Sequence, residues 1–493
     1  MENLLQKNEL RQLRLAEFLI EKDGWVTFQE LAEELGCSER VLKYDINHFK
    51  ETFFYFKIES SHYGIRLVFE QNKGFKNIYQ SVFDSSYAFQ LLELLFFEEN
   101  YSINQLADRL YISSSSLYRL INQVNDVIIE YGFQIETNPC RLNGSENSIR
   151  YFYYKYFFEK YTILTWPYDE IDQPIVNDLL DFFINMTNFK ADFAYYNIAK
   201  LILFINFSRY QKKHYISVEN GDLNKMIASL SIPENKREFF EKKYRFKIDE
   251  AFITQIFSPF VQTGYFFSYE QLVAESKQNE QIANRIEQIE QLLRQIAQDN
   301  KINLTSNERI ILELYNAELL EKFDPRSGYI LYDRNTLFLN RLRKKYPEFY
   351  QSIKFLVKEY RENTGLNLID RNVHYMLYTL VVEWENLIPQ LEKNMEQIKV
   401  LILSNRTISH SHLLKYILET EFYHFLVADI YTGAILSINA LEKLHYDFIV
   451  SNFPIPDLTS KKSFYIENFP SKNQLKQIQY QINKLQNKNH RSN

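Results

Sequence analysis

Arg40, Lys43, Tyr44 and Asn47 are spaced so that one face of a helix would present all four side chains, with Ser38 just ahead of them. Guanidinium, ammonium, hydroxyl and carboxamide groups on one face can bond phosphate oxygens and pair with base edges in the major groove of duplex DNA. Ser114, Ser115, Tyr118, Arg119 and Gln123 make a second set of the same character. Covalent chemistry has no comparable set. The chain holds no Walker-type glycine-rich loop, no HExxH, no CxxC and no nucleophile elbow. The expectation is a non-enzymatic DNA-binding protein with no cofactor and no metal.

Both sets lie in one segment written twice. TFQELAEELGCSERVLKYDIN, from Thr27 to Asn47, and SINQLADRLYISSSSLYRLIN, from Ser102 to Asn122, align without a gap over 21 positions. Identities include Leu31/Leu106, Ala32/Ala107, Leu35/Leu110, Ser38/Ser113, Leu42/Leu117 and Ile46/Ile121. Thr27 with Glu30, and Ser102 with Gln105, read as capping boxes that open a first helix. A turn follows at Gly36 and Cys37, and Ser38 and Ser113 stand where a second helix needs its N-cap. The buried side of that second helix would be Val41, Leu42, Ile46 and Phe49, then Leu117, Ile121 and Val124 in the second copy. Each copy reads as a helix-turn-helix. Short alternating runs follow, broken at Gly64 in the first copy and at Gly132, Pro139 and Gly144 in the second, and these read as wings. A pair of purely structural helical hairpins is the competing reading; two aligned copies, each followed by a wing, weigh against it.

The run ISSSSLYRLINQVNDVIIEYG, followed by IETNPCRLNGSENSIRYFYYKYF, resembles the second winged helix of the Mga/AtxA family of PRD-containing virulence transcriptional regulators of Gram-positive bacteria. The resemblance implies a multidomain, mainly α protein: two N-terminal winged helix-turn-helix domains, two all-helical PTS-regulation-like domains and a C-terminal α/β enzyme-IIB-like domain. On that plan residues 1–70 and 71–161 are the winged helices, 162–280 and 281–391 the helical domains, 392–475 the α/β domain and 476–493 a basic tail. It also implies a global regulator that activates virulence-related genes, works as a homodimer or higher homo-oligomer, and exchanges phosphate with phosphocarrier proteins of the sugar phosphotransferase system.

Composition agrees with a large cytoplasmic protein of several domains. Two cysteines, Cys37 and Cys140, cannot build a disulfide framework, there is no signal peptide, and no apolar run is long enough to span a bilayer. Charge is the discordant observation: the chain carries −6, and residues 1–160 hold 17 Lys+Arg against 23 Asp+Glu. Residues 38–50 set Arg40, Lys43 and Lys50 against Glu39 and Asp45. A head of that charge should bind weakly and with strong salt sensitivity, so several heads must act together. A serine-rich second helix offers few bidentate pairings to bases, which points to backbone and shape readout and to bent or A·T-rich DNA.

From Thr162 to Leu391 apolar residues recur at helical spacing, and the stripe Ile282, Ile286, Ile289, Leu293 and Ile296 marks an amphipathic helix that is either packed within its domain or a dimer surface. Only two histidines fall between Thr162 and Gln390, His214 and His374, one in each expected helical domain. The resemblance makes both candidates for regulatory phosphorylation, with Arg209, Lys212 and Lys213 near His214 to hold a phosphate. Beyond Pro389, QIKVLILSN, FLVADIY and YDFIVSNF alternate with helical stretches, a βαβαβ order that implies a parallel sheet. The phosphorylatable cysteine implied by an enzyme-IIB likeness is absent: Ser404, Asn405, Arg406 and Thr407 occupy that loop, with His410 and His412 read as solvent-exposed. Residues 471–493 read as a solvated helix fading into a disordered tail. Two other readings stay open beside a DNA-binding regulator: a phosphotransfer-system relay component and an RNA-binding antiterminator.

Overall fold

The computed structural model describes residues 1–489 except 23, 54–55, 168–172, 188–192, 218–233, 245–246, 259, 261–264, 324–328, 395–396, 434, 457 and 459–461. Helix α1 (Lys7–Lys22) leads to α2 (Phe28–Glu34), α3 (Glu39–Thr52) and a hairpin of β1 (Phe56–Ser61) and β2 (Gly64–Phe69). Thr27 caps α2 by accepting the Glu30 amide, and Ser38 caps α3 by accepting the Val41 amide. The Glu30 carboxylate does not complete the expected box; it takes Lys22 of α1 at 2.8 Å. Leu31, Leu42, Ile46 and Phe49 are buried, while Val41 is only half-buried.

The order then repeats behind two extra helices, α4 (Phe75–Ser85) and α5 (Tyr87–Phe97). Next come α6 (Ile103–Arg109), α7 (Ser114–Ile128), β3 (Phe133–Thr137) and β4 (Cys140–Gly144). Ser102 and Gln105 do form the reciprocal capping box. The likeness of the copies extends past the aligned 21 residues: Val26 bridges Ile65 in the first wing, and Tyr101 bridges Cys140 at the matching positions of the second. Glycine is required at the first of these wings, because at Gly64, φ +116°, a Cβ would lie 2.0 Å from the Val26 carbonyl oxygen.

Helix α8 (Glu146–Lys160) continues from the second wing, and its run of Tyr and Phe is explained by burial on most sides. Tyr156 donates to the Phe89 carbonyl at 3.0 Å, so α5 and α8 are joined by polar as well as apolar contacts. Helices α9 (Gln173–Thr187), α10 (Phe193–Gln211), α11 (Glu234–Tyr244), α12 (Glu250–Phe257) and α13 (Tyr269–Ser276) follow. Then come α14 (Glu280–Asp299), α15 (Glu308–Phe323), α16 (Arg334–Lys345), α17 (Pro347–Asn363), α18 (Asp370–Glu383) and α19 (Leu387–Asn394). The isoleucine stripe of α14 is buried, so it is a packed face rather than an open surface.

The chain divides into two compact units. One comprises Met1–Ile286, Ile311–Phe338 and Leu366–Met376, and the other Glu287–Ile310, Leu339–Gly365 and Leu377–Asn493. The second unit contains the C-terminal domain: β5 (Ile398–Leu403), α20 (Ile408–Glu421), β6 (Leu426–Ile430), α21 (Ile438–Lys443), β7 (Phe448–Ser451), β8 (Lys462–Tyr465) and α22 (Lys472–Asn489). All neighbours are parallel in the order β6-β5-β7-β8. The strand of four residues at the edge, β8, is additional to the three that the pattern predicts, being short and only partly buried. The continuous apolar run of β5 is buried on both faces, Val400 and Ile402 against Leu414 and Leu418 on one, Leu401 and Leu403 against Leu441 on the other.

Two expectations for this domain are corrected. Helix α22 is not solvated, since Ile478 and Ile482 are fully buried against the sheet; residues 490–493 lie outside the described residues. His410 is not an open surface histidine either. Its Nδ1 meets Ser404 Oγ at 2.8 Å and its Nε2 the Asn468 carbonyl oxygen at 2.8 Å, whereas His412 is exposed.

Candidate nucleic-acid interface

Ser38, Arg40, Lys43, Tyr44 and Asn47 all stand exposed along α3. Tyr44 is 67% exposed. Lys43 is held loosely, 3.8 Å from Glu39 and 5.5 Å above the Phe28 ring. Asp45, counted from sequence among the acids of this face, is instead fully buried and bound by both the Nε and an Nη of Arg11 on α1. The acid opposing Arg40 and Lys43 on the exposed face is therefore Glu39, and the face is more basic than the segment's composition suggests. Beside it, Arg66 of the wing lies 4.6 Å from the Trp25 ring and 2.7 Å from Glu59, and Tyr63 at the hairpin tip is exposed.

On α7, Ser115, Tyr118, Arg119 and Gln123 are exposed, and Ser114 is half-buried because its hydroxyl donates to Asn104 Oδ1 at 2.8 Å. Arg119 reaches back to Ser116 Oγ at 3.4 Å, a long contact that leaves its guanidinium able to turn outward. Two further exposed residues of this helix-turn-helix were not singled out from sequence. Asn122, the counterpart of Asn47, is exposed, and the 21-residue alignment itself carried that signal. Tyr111 stands where the first copy has Gly36, in the left-handed conformation at φ +54°, 94% exposed. The rule that tight turns select glycine had hidden it.

The two histidines are brought into different surroundings. His214 Nε2 lies 2.8 and 2.9 Å from the oxygens of Glu99, in the link between α5 and the second helix-turn-helix. Arg209, fully buried, binds Glu99 at 2.7 Å and both oxygens of Glu146 at 2.7 and 2.9 Å, and Lys212 donates to the carbonyls of Phe96 and Phe97. Two of the cations expected to cradle a phosphate are thus already committed to joining α10 to the winged helix. Burial would raise the Glu99 carboxyl, but the His214 hydrogen bond and the Arg209 and Lys212 charges hold it below its usual value. His374 is half-buried, with Nδ1 2.7 Å from Thr336 Oγ1. Thr336 donates its one hydroxyl proton to Asp333, which places the His374 proton on Nδ1.

Two winged helices in tandem, each with an exposed polar recognition helix, joined to helical and α/β domains, define a DNA-binding transcriptional regulator. Three family models match the chain: the M protein trans-acting positive regulator (MGA) HTH domain over 6–57, the Mga helix-turn-helix domain over 71–157 and the M protein trans-acting positive regulator (MGA) PRD domain over 172–387. A Streptococcus pneumoniae serotype 4 protein described as "Putative trans-acting regulator" is 29% identical over 95% of this chain and 96% of its own length. The anthrax toxin expression trans-acting positive regulator of Bacillus anthracis is 20% identical over 96% and 98%, and the capsule synthesis positive regulator AcpA of the same organism 24% identical over 50% of each. The chain belongs to the Mga/AtxA family of PRD-containing virulence transcriptional regulators. These relatives are regulators rather than enzymes. No helix among the described residues is long and apolar enough to cross a membrane.

Proposed function

We propose that this regulator activates transcription by binding duplex DNA through both winged helices at once. Ser38, Arg40, Lys43, Tyr44 and Asn47 touch the DNA from one head, and Ser114, Ser115, Tyr118, Arg119 and Gln123 from the other. The observation that carries this reading is the matched exposure of polar residues on α3 and α7, two copies of one element with their apolar sides buried alike. Mixed hydroxyl, amide and single cationic groups favour backbone and shape readout, hence low sequence specificity and a preference for bent or A·T-rich DNA. Fluorescence titration of a promoter duplex and a scrambled duplex at several salt concentrations tests it. Arg40→Ala with Lys43→Ala, or Arg119→Ala, should weaken both duplexes alike and reduce the salt slope by about one unit for each phosphate that is no longer neutralised. Unchanged affinity in both variants would remove the assignment.

Weak heads gain from being linked, so a homodimer or higher oligomer that places four or more heads on one DNA belongs to the same proposal, with residues 392–493 contributing to association. Phosphate transfer from phosphocarrier proteins to His214 or His374 would tune it. At His214 the added charge of nearly −2 would face Glu99 and push α10 from the second winged helix. His214→Asp should therefore mimic the change and His214→Ala should not; sedimentation and a reporter gene read the outcome, and parent-like behaviour of the Asp and Ala variants at both sites would end the regulatory reading.

A further inference from the structure

Helix α8 forms one side of a cavity of about 220 Å³ whose other walls come from α10, α15, the residues Ser258, Phe260 and Tyr265, and Tyr375 of α18. Its lining includes six aromatic side chains, Tyr151, Tyr154, Tyr195, Phe260, Tyr265 and Tyr375, and one carboxylate, Glu313, beside aliphatic and amide groups. Tyr265 meets Phe260 edge-on with centroids 5.8 Å apart. Burial raises the Tyr195 and Tyr265 phenols, and in both the next cause is the Glu313 charge, with a Tyr195 hydrogen bond to Glu313 besides. Glu313 lines the same cavity as these rings. Tyr375, 44% exposed, marks the way in.

Three of the other polar side chains of the wall, Arg150, Asn206 and Asn316, are already used. Arg150 gives its Nε to Glu146 at 3.0 Å, one Nη to the Gln255 carbonyl and the other to the His214 carbonyl at 3.0 Å. Asn206 donates to the carbonyls of Ile256 and Ser258 at 2.8 and 2.6 Å, and Asn316 pairs with both backbone groups of Phe266 at 2.8 and 3.2 Å. What the cavity offers a guest is several aromatic rings and one carboxylate. An anion would be repelled by both. A cation is attracted by both, and the attraction is strongest where water is excluded. Size sets the upper limit: an apolar cavity of roughly 150 Å³ accepts benzene, so this one accepts a single ring with a small ammonium group.

We propose that the cavity binds a small organic ammonium ion, with Glu313 as its counter-charge and Tyr195, Tyr265 and Tyr375 as cation–π walls. The site is independent of the DNA-binding reading and is tested without DNA. Phenyltrimethylammonium is titrated onto the full chain by calorimetry or ligand-observed NMR, beside tert-butylbenzene, a neutral molecule of the same shape. The cation should bind about tenfold tighter or better than the isostere. In Glu313→Gln the preference should shrink to about twofold. Should that variant fail to fold, Tyr375→Leu at the entrance should weaken the cation and leave the isostere unaffected. The proposal is overturned by no cation binding at about 10 mM, by equal binding of the two molecules, or by an undiminished preference in whichever variant folds.

Discussion

Replacing Glu159 by glutamine probes how the end of α8 is tied to the segment 330–332. Glu159 is 4% exposed, and its carboxylate accepts the backbone N–H groups of Ile330, Leu331 and Tyr332, the last two at 2.9 Å. Burial pushes the carboxyl up to about 7, against the three amides and the Arg334 charge, which pull it down. A carboxyl raised in the folded state holds its proton there between the unfolded value of 4.5 and about 7. Its contribution to stability is therefore full in acid and is lost as pH rises through that window. Between pH 6 and pH 8 the loss comes to about 1.3 kcal/mol, close to a tenfold increase in opening of the segment. Hydrogen exchange read by mass spectrometry on peptides covering 329–333, corrected for the intrinsic pH dependence, measures it. Glutamine does not titrate, so in Glu159→Gln the pH dependence should vanish. It also offers one acceptor oxygen in place of two, leaving an N–H unpaired at a cost of about 1–3 kcal/mol, so protection at pH 6 should fall about tenfold or more. Protection that holds constant or rises from pH 6 to pH 8 in the parent would refute the reasoning, because the three amides would then outweigh burial.

Tyr111→Gly should stabilise the second helix-turn-helix by about 1 kcal/mol by removing a side chain from the left-handed conformation, raising exchange protection across α6 and α7; no gain would mean that a contact of the exposed ring offsets the strain. Gly64→Ala should open the bridge between Val26 and Ile65, since its Cβ cannot fit 2.0 Å from the Val26 oxygen, and exchange in β2 should rise together with loss of DNA affinity. Unchanged exchange there would contradict the steric argument. Arg11→Met should cost about 3–5 kcal/mol by leaving the buried Asp45 carboxylate alone, and Asp45→Asn clearly less, because Arg11 is 25% exposed and can turn to water. Equal losses in protection of α1 and α3 would show that the pair is not the cause.

The helix-turn-helix pairs were legible because each depends on local chemistry. A cap hydroxyl, a turn and an apolar face at helical spacing lie within 21 residues, and writing them twice turned a weak pattern into a strong one. Even so, one capping box in two was incomplete, since Lys22 of a neighbouring helix competes for Glu30. The parallel sheet was legible in its three central runs and not in β8, whose four residues carry little periodicity. Helices α4 and α5, between the two copies, had no sequence signature that distinguished them from the domains they join.

Sequence by itself determined which residues are apolar at which period, where helices begin, and that the two recognition helices carry polar faces; these are properties of neighbours along the chain. Tertiary structure alone decided the rest. Asp45 reads as a surface acid until α1 brings Arg11 onto it, and Arg209 and Lys212 read as a phosphate cradle until Glu99, Glu146 and the Phe96 and Phe97 carbonyls, from far earlier in the chain, take them up. The cavity that Glu313 lines draws its walls from segments as distant as Tyr154 and Tyr375. The physical reason is one of range. Backbone hydrogen bonding and helical period act over a few residues, whereas the partner of a buried charge is set by which elements pack together, and a buried ion without that partner would cost several kcal/mol.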